Sequence, residues 1–146
     1  MKFYIIRHGQ TNWNKERRIQ GKTDIELNEE GIKQAEEAKR ILKDYPIDMI
    51  VSSTLKRARK TAEIINEAKN VPIIFKEALE ERCFGEFEGK TREEIQDENW
   101  YSEILDNYKL NKQYKGVETI QDLCNRVWNL IDELKEDFTE KNILIV

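Results

Sequence analysis

Histidine is almost absent from this chain: one residue, His8, in 146. Cysteine is nearly as scarce, and Cys83 and Cys124 are too far apart to form a CxxC pair. A lone histidine and two scattered thiols exclude an ordinary structural zinc site and a disulfide framework. Both thiols are instead expected to pack in a core, in a reducing compartment. Long apolar runs are lacking as well. The N-terminal "FYII" is broken at once by "RHG", too short for a signal-peptide core or a membrane span, which predicts a cytoplasmic protein with no membrane partner. Nor is there an excess of positive charge: the formal net charge is −4, which argues against a general nucleic-acid binder. Repeats, linkers and low-complexity tracts are missing, and the length fits a single domain over residues 1–146 with a real core.

What is present is periodic. "KFYIIR" (Lys2 to Arg7) reads as a buried strand. "NEEGIKQAEEAKRILKDY" sets Ile32, Ala35, Ala38, Ile41, Leu42 and Tyr45 on one helical face, with Asn28 as N-cap and Pro46 as the stop. "DMIVSS" is a second strand, "TLKRARKTAEIINEAK" a second helix with Leu55, Ala58, Ala62 and Ile65 inward, and "VPIIFKE" a third strand. From Leu79 to Gly116 an irregular excursion is expected, with short helices around "REEIQDENW" and "YSEILDNY". "ETIQDLCNRVWNLIDELKEDF" is the clearest amphipathic helix, and "NILIV" begins a further buried strand. Apolar strands alternating with helices predict an α/β fold, a three-layer, mostly parallel sheet with helices on both faces. Ligands of such sheets bind at the carboxyl ends of the strands. That edge collects Arg7 and His8, then Ser52 and Ser53, then the end of the chain.

The second helix breaks a rule. Lys56, Arg57, Arg59 and Lys60 crowd its first turns, where the helix dipole disfavours cations. A bound anion would resolve this, and phosphate suits it best because arginine offers a planar fork. Arg57 is expected in such a site, with Lys56 and Lys60 pointing to solvent. Arg7 and His8 add a cation and a nucleophile or base, and Gly9 permits a close backbone approach. "GEFEGKT" (Gly85 to Thr91) superficially suggests a P-loop. It has one residue too few between its glycines, carries Glu86 and Glu88 where phosphates would lie, and follows no apolar strand. A nucleotide-cradling loop is rejected.

The string "RHGQTNWNKERRIQGKTDIELNEEGIKQA" closely resembles the opening signature of the histidine phosphatase superfamily, which includes cofactor-dependent phosphoglycerate mutases and many phosphomonoesterases. The resemblance continues in "SSTLKRARKTA" and "LEERCFGEFEG", and more loosely in "GVETIQDLCNRV", in the family's order over nearly the full chain. It implies a phosphoglycerate mutase-like fold and a small phosphorylated substrate. By the same resemblance, His8 would be the nucleophile that becomes a phosphohistidine. Arg7, Asn14 and Arg57 would hold the phosphoryl oxygens. Glu81 would protonate the leaving alkoxide and then activate water, which requires a carboxyl held above its usual range; Glu77 and Glu80 could supply like-charge repulsion. Gln10, Thr11, Gln20, Gly21 and Arg82 would line the pocket. Phosphoryl transfer needs positioning and charge neutralisation, which arginine and histidine provide, so no metal or cofactor is implied. Glu118 and Thr119 stand where the family more often has a second glycine, which weakens any role there.

The family uses two histidines, the second just after the last buried strand. Here nothing follows "NILIV", so that partner would lie within a residue or two of Val146. An ending inside an apolar strand predicts truncation rather than a naturally short protein, with an incomplete sheet. It also predicts impaired turnover and, from the exposed strand edge, association into homo-oligomers. "QG" at Gln20 and Gly21 and the short segment between Gly89 and Gly116 favour a phosphomonoesterase over a mutase. A non-catalytic phospho-ligand sensor is the alternative of another class; it would have no need of the acid Glu81.

Overall fold

The structure, a computed structural model, describes residues 1–95 and 114–146. Four strands form one parallel sheet: β1 (Lys2–Ile5), β2 (Met49–Ser52), β3 (Ile73–Phe75) and β4 (Asn142–Ile145). Their order is β1-β4-β2-β3. β2 and β4 therefore lie in the middle, which is why Ile50, Val51, Ile143 and Leu144 are wholly buried. Between the strands run α1 (Asn12–Lys15), α2 (Glu29–Leu42), α3 (Lys56–Lys69) and α4 (Ile120–Asp137).

The period of two along each strand divides the core into two layers. Tyr4, Ile6, Ile50, Leu144 and Val146 face α2 and α3, packing on Leu42, Ala58, Ala62 and Ile65. Phe3, Met49, Val51, Ile143 and Ile145 face the other way, onto Leu130 and Leu134 of α4. Helices on both faces of a parallel sheet are the arrangement that the apolar strands require. Asn28 caps α2 by accepting the Gly31 N–H at 2.8 Å, and Thr119 caps α4 by accepting from Asp122 at 3.0 Å. Each such cap is worth about 1 kcal/mol.

Two expectations need correcting. β1 is an edge strand rather than a buried one, and Ile5 is 75% exposed. Ile41 and Tyr45 do not join the inner face of α2; they are 58% and 45% exposed. Ile41 is offset by about 100° from Leu42, enough to turn it outward, and Tyr45 follows the end of the helix and meets Tyr4 edge-on. Of the short helices expected around residues 92–108, the part beyond Ile95 lies outside the described residues. What precedes it is two single 3₁₀ turns, Glu77–Leu79 and Gly85–Phe87. Among the described residues no helix is long and apolar enough to cross a membrane.

Candidate active site

His8 stands two residues beyond the last β1–β4 contact, where the Ile6 N–H donates to the Ile145 carbonyl at 3.0 Å. The turn that carries it is held close to α2 and α3. Gly9 donates its N–H to Thr61 Oγ1 of α3 at 3.2 Å. A Cβ on Gly9 would sit 2.3 Å from the Gly31 carbonyl oxygen, and one on Gly31 would sit 2.1 Å from that of Gln10. Two glycines thus permit a backbone approach that no other residue allows.

The His8 ring has a defined tautomer. Nδ1 lies 2.7 Å from the Gly9 carbonyl oxygen, which can only accept, so the neutral ring carries its proton on Nδ1 and its lone pair on Nε2. Arg57 Nε donates to that Nε2 at 3.2 Å. Burial lowers the His8 pKa most; the Gly9 carbonyl raises it, the cations of Arg57 and Arg7 lower it, and Glu81 raises it. The net displacement is downward, toward a neutral, nucleophilic ring.

Arg57, in the first turn of α3, is 1% exposed. Its Nη1 and Nη2 donate to the carbonyls of Thr23 at 2.9 Å and Gly21 at 2.7 Å, which fixes the guanidinium under His8. Thr61, one turn later, returns its hydroxyl proton to the Arg57 carbonyl at 2.8 Å. Lys56 and Lys60 point to solvent as expected. At the start of α3, Asp24 Oδ1 accepts the Lys56 N–H at 2.7 Å. Leu55 in the cap position offers no side-chain acceptor, so Asp24 does the capping.

A hollow of about 340 Å³ opens over this group, lined by Arg7, His8, Asn14, Gln20, Gly21, Arg57 and Glu81 among others. Arg17, Arg18 and Arg92 stand on its rim. A second hollow of about 260 Å³ reaches Arg7, His8, Arg57 and Glu81 from the α4 side. Larger hollows of about 420 and 750 Å³ occur elsewhere, but neither touches the histidine. Asn14 Oδ1 accepts the Thr11 N–H at 3.0 Å while its own N–H donates to Thr11 Oγ1 at 3.1 Å. This capping box of α1 leaves the amide NH₂ as the group Asn14 can offer to the hollow.

Not every expected residue arrives there. Thr11 is wholly buried behind Asn14, with its hydroxyl 2.8 Å from Gln20 Oε1, so it orients two lining residues instead of lining. Gln10 turns toward another hollow, its Oε1 accepting from Asn28 Nδ2 at 3.0 Å. Arg82 donates through Nε to the Glu118 carbonyl at 2.8 Å and is absent from the lining of both hollows. Glu80, beside Glu81, is paired. Burial pushes its carboxyl up, but hydrogen bonds from Thr54 and Lys22 outweigh this and hold it low; the Lys22 pair is 3.0 Å long.

Glu88 is a support that gave no sequence signal as a functional group. Glu88 Oε1 accepts the N–H groups of Lys22 at 3.0 Å and Phe84 at 2.9 Å; Oε2 accepts the Thr23 N–H at 2.9 Å and the Thr23 hydroxyl. It thereby holds the loop whose carbonyls hold Arg57. Burial raises the Glu88 pKa, and this set of donors reverses the sign to a net lowering. Arg126 and Glu118 form another support, with N–O distances of 2.6 and 2.9 Å. A hint did exist for Arg126: it lies between Leu123 and Leu130 at helical spacing, a cation on an apolar stripe.

A strand-end histidine in an arginine-lined hollow at the edge of a parallel sheet can receive an anionic group. The chain belongs to the histidine phosphatase superfamily, branch 1, whose family model matches residues 3–146. It is 39% identical over 142 residues to the "Uncharacterized phosphatase PhoE" of Bacillus subtilis, across 97% of this chain and 68% of that protein. It is 37% identical over 129 residues to the "Probable phosphoglycerate mutase GpmB" of Escherichia coli, across 87% of this chain and 60% of that protein. The solved structure of Bacillus stearothermophilus YhfR superposes with a TM-score of 0.89 at 32% identity, covering 99% of this chain and 72% of that one. The chain thus spans roughly two thirds of these relatives.

Proposed function

We propose that the site hydrolyses small phosphomonoesters through a phosphohistidine at His8. The observation that carries this is the His8 tautomer: a proton fixed on Nδ1 leaves the Nε2 lone pair at a hollow lined by Arg7, Arg57 and Asn14. Nε2 attacks phosphorus in line, the P–O ester bond breaks, and the departing alkoxide takes a proton from Glu81. Water then attacks the phosphohistidine, Glu81 accepts its proton, and inorganic phosphate leaves with His8 restored. Arg7, Arg57 and the Asn14 amide neutralise the phosphoryl oxygens, each charge-assisted bond contributing about 1.5–3 kcal/mol. Displacing Arg57 Nε from His8 onto a phosphoryl oxygen frees the lone pair at the moment substrate arrives.

A mutase performs the same first step and differs in the acceptor, a substrate hydroxyl instead of water. The phosphatase reading is supported by the name of the 39% identical relative, and the mutase reading by that of the 37% identical one. Exposure of the protein to a reactive phosphodonor, alkaline quench and intact-mass measurement tests the first step. An alkali-stable phosphoryl adduct is expected, and it should be absent from His8→Ala. An adduct that survives in His8→Ala would place the chemistry elsewhere. Phosphate release without priming by a bisphosphorylated compound separates hydrolysis from transfer.

A further inference from the structure

Glu81 has an acid's position but no visible means of aiming. Among the described residues, the one hydrogen bond its carboxylate receives is from the adjacent Arg82 N–H at 2.9 Å. Among those residues no side chain donates a hydrogen bond to it, although the charges of Arg57, Arg82 and Arg126 act on it. Its neighbours are tied firmly: Glu80 to Thr54 and Lys22, Arg82 to the Glu118 carbonyl. The direction of the Glu81 side chain therefore follows from its backbone, and one side chain donates to the Glu81 carbonyl itself. Arg126 Nη1 donates to the Ala78 carbonyl at 2.7 Å, and Nη2 to the carbonyl of Glu81 itself at 3.3 Å. The Arg126 fork is in turn fixed by Glu118, whose Oε2 also accepts the Cys83 N–H at 3.2 Å. The pair thus brackets the segment from Ala78 to Cys83 on both sides of Glu81. Both side chains are mostly shielded, at 18% and 14% exposure. A planar five-donor group is the side chain that can hold two carbonyls and a carboxylate at once.

We propose that Arg126, with Glu118, is the positioning residue for the acid: it sets the Glu81 carboxyl at the mouth of the hollow beside His8. This rests on the reading of Glu81 as proton donor to the leaving group. Arg126 touches neither the substrate nor the reacting atoms, and acts through the backbone of Glu81.

The test uses single-turnover phosphorylation of His8 by two aryl phosphates. Dinitrophenyl phosphate expels a stable phenolate without a proton; phenyl phosphate needs one. Glu81→Gln should slow the phenyl donor by about 10²-fold or more while changing the dinitrophenyl donor little. Arg126→Met should show the same selectivity, with a loss of about 10–100-fold on the phenyl donor alone. Glu118→Gln, which leaves the guanidinium in place, should show it more weakly and serves if Arg126→Met does not fold. Equal slowing of both donors, or of neither, in the Arg126 and Glu118 variants would overturn the proposal. A lack of selectivity in Glu81→Gln itself would instead overturn the assignment of Glu81.

The NMR titration of His8, the sole histidine, decides the placement without turnover. Removing the Glu81 charge should lower the His8 pKa, because Glu81 raises it. Arg126→Met should also lower it, by letting Glu81 drift away. The loss of a cation alone would raise it, so an upward or absent shift in Arg126→Met beside a downward one in Glu81→Gln refutes the positioning role.

Discussion

Glu88→Gln separates the support of the site from its chemistry, because Glu88 lines neither hollow at His8. Each of its two oxygens accepts two hydrogen bonds, Oε1 from Lys22 and Phe84 and Oε2 from Thr23 twice. Glutamine keeps one oxygen and turns an NH₂ toward the other pair of donors. Two charge-assisted bonds are lost, at about 1.5 kcal/mol each, and the remaining two weaken with the charge, so a loss of about 3 kcal/mol is expected. In a chain of this size that lowers the thermal midpoint by on the order of 10 °C. The loop released is the one whose Gly21 and Thr23 carbonyls hold Arg57, so affinity for phosphate or vanadate should fall as well. The pH dependence has a definite sign. Glu88 has a folded-state pKa below its usual value, so its stabilisation is complete above about pH 4.3 and is lost as the pH falls through the lower, folded value. The gap between wild type and Glu88→Gln should therefore narrow on acidification. Calorimetry at several pH values, with vanadate titrations, reads all three effects. A loss under about 1 kcal/mol with unchanged vanadate affinity would show that these bonds do not hold the loop.

Gly31→Ala should destabilise by about 1–3 kcal/mol in urea denaturation although alanine favours helices, since its Cβ meets the Gln10 carbonyl oxygen at 2.1 Å. Arg57→Lys keeps the charge but gives up the fork to Gly21 and Thr23, and should weaken vanadate binding by about tenfold or more for each lost bond. The acid limb of phosphohistidine formation should lie below pH 6.5, because burial and the Arg57 and Arg7 charges hold the His8 pKa down; an inflection above that value, followed by intact mass against pH, would contradict the neutral ring. Below about pH 6.5 the unfolded chain takes up a proton before the folded one, so His8 itself lowers stability as acid is added.

The layered fold was legible because strands and helices announce themselves by period and composition. Composition cannot say where a strand lies in a sheet, though. "KFYII" is as apolar as "DMIVS", yet β1 is at the edge and β2 in the middle, because pairing order is set by long-range contacts. His8 and Arg57 were legible for a similar local reason: each violates an expectation of its own element, a polar pair at a strand end and a cation at a helix start. Asp24 and Glu88 violate nothing. Their partners are backbone N–H groups of Lys56, Lys22, Thr23 and Phe84, and all but Phe84 are too far along the chain for any periodicity to link them to their acid. Thr11 and Gln10 were expected to line the pocket because they match motif positions of the family, but the turn sends the one behind Asn14 and the other toward Asn28.

The same bonds answer a question of charge. A chain of net charge −4 has built a cationic hollow, and it does so without segregating its acids from the site. Asp24, Glu80, Glu88 and Glu118 all lie close to it, and each is engaged: by the α3 N-terminus, by Lys22 and Thr54, by loop N–H groups, and by Arg126. Acids so engaged are matched by local donors, and Asp24 and Glu88 also act on the Arg57 charge, while Arg7 and Arg57 remain among the hollow's lining beside Glu81. Neutralising any one of these acids removes negative charge near the site, which by Coulomb attraction alone should tighten anion binding. It also frees the loop or helix end that the acid held, which should weaken it. Each acid's charge is already offset by the donors it holds, so the Coulomb gain is small, while the lost hydrogen bonds, at about 1.5–3 kcal/mol each, outweigh it. Geometry therefore outweighs charge here. Replacing an acid that supports the site should weaken its hold on phosphate even though the surroundings become more positive.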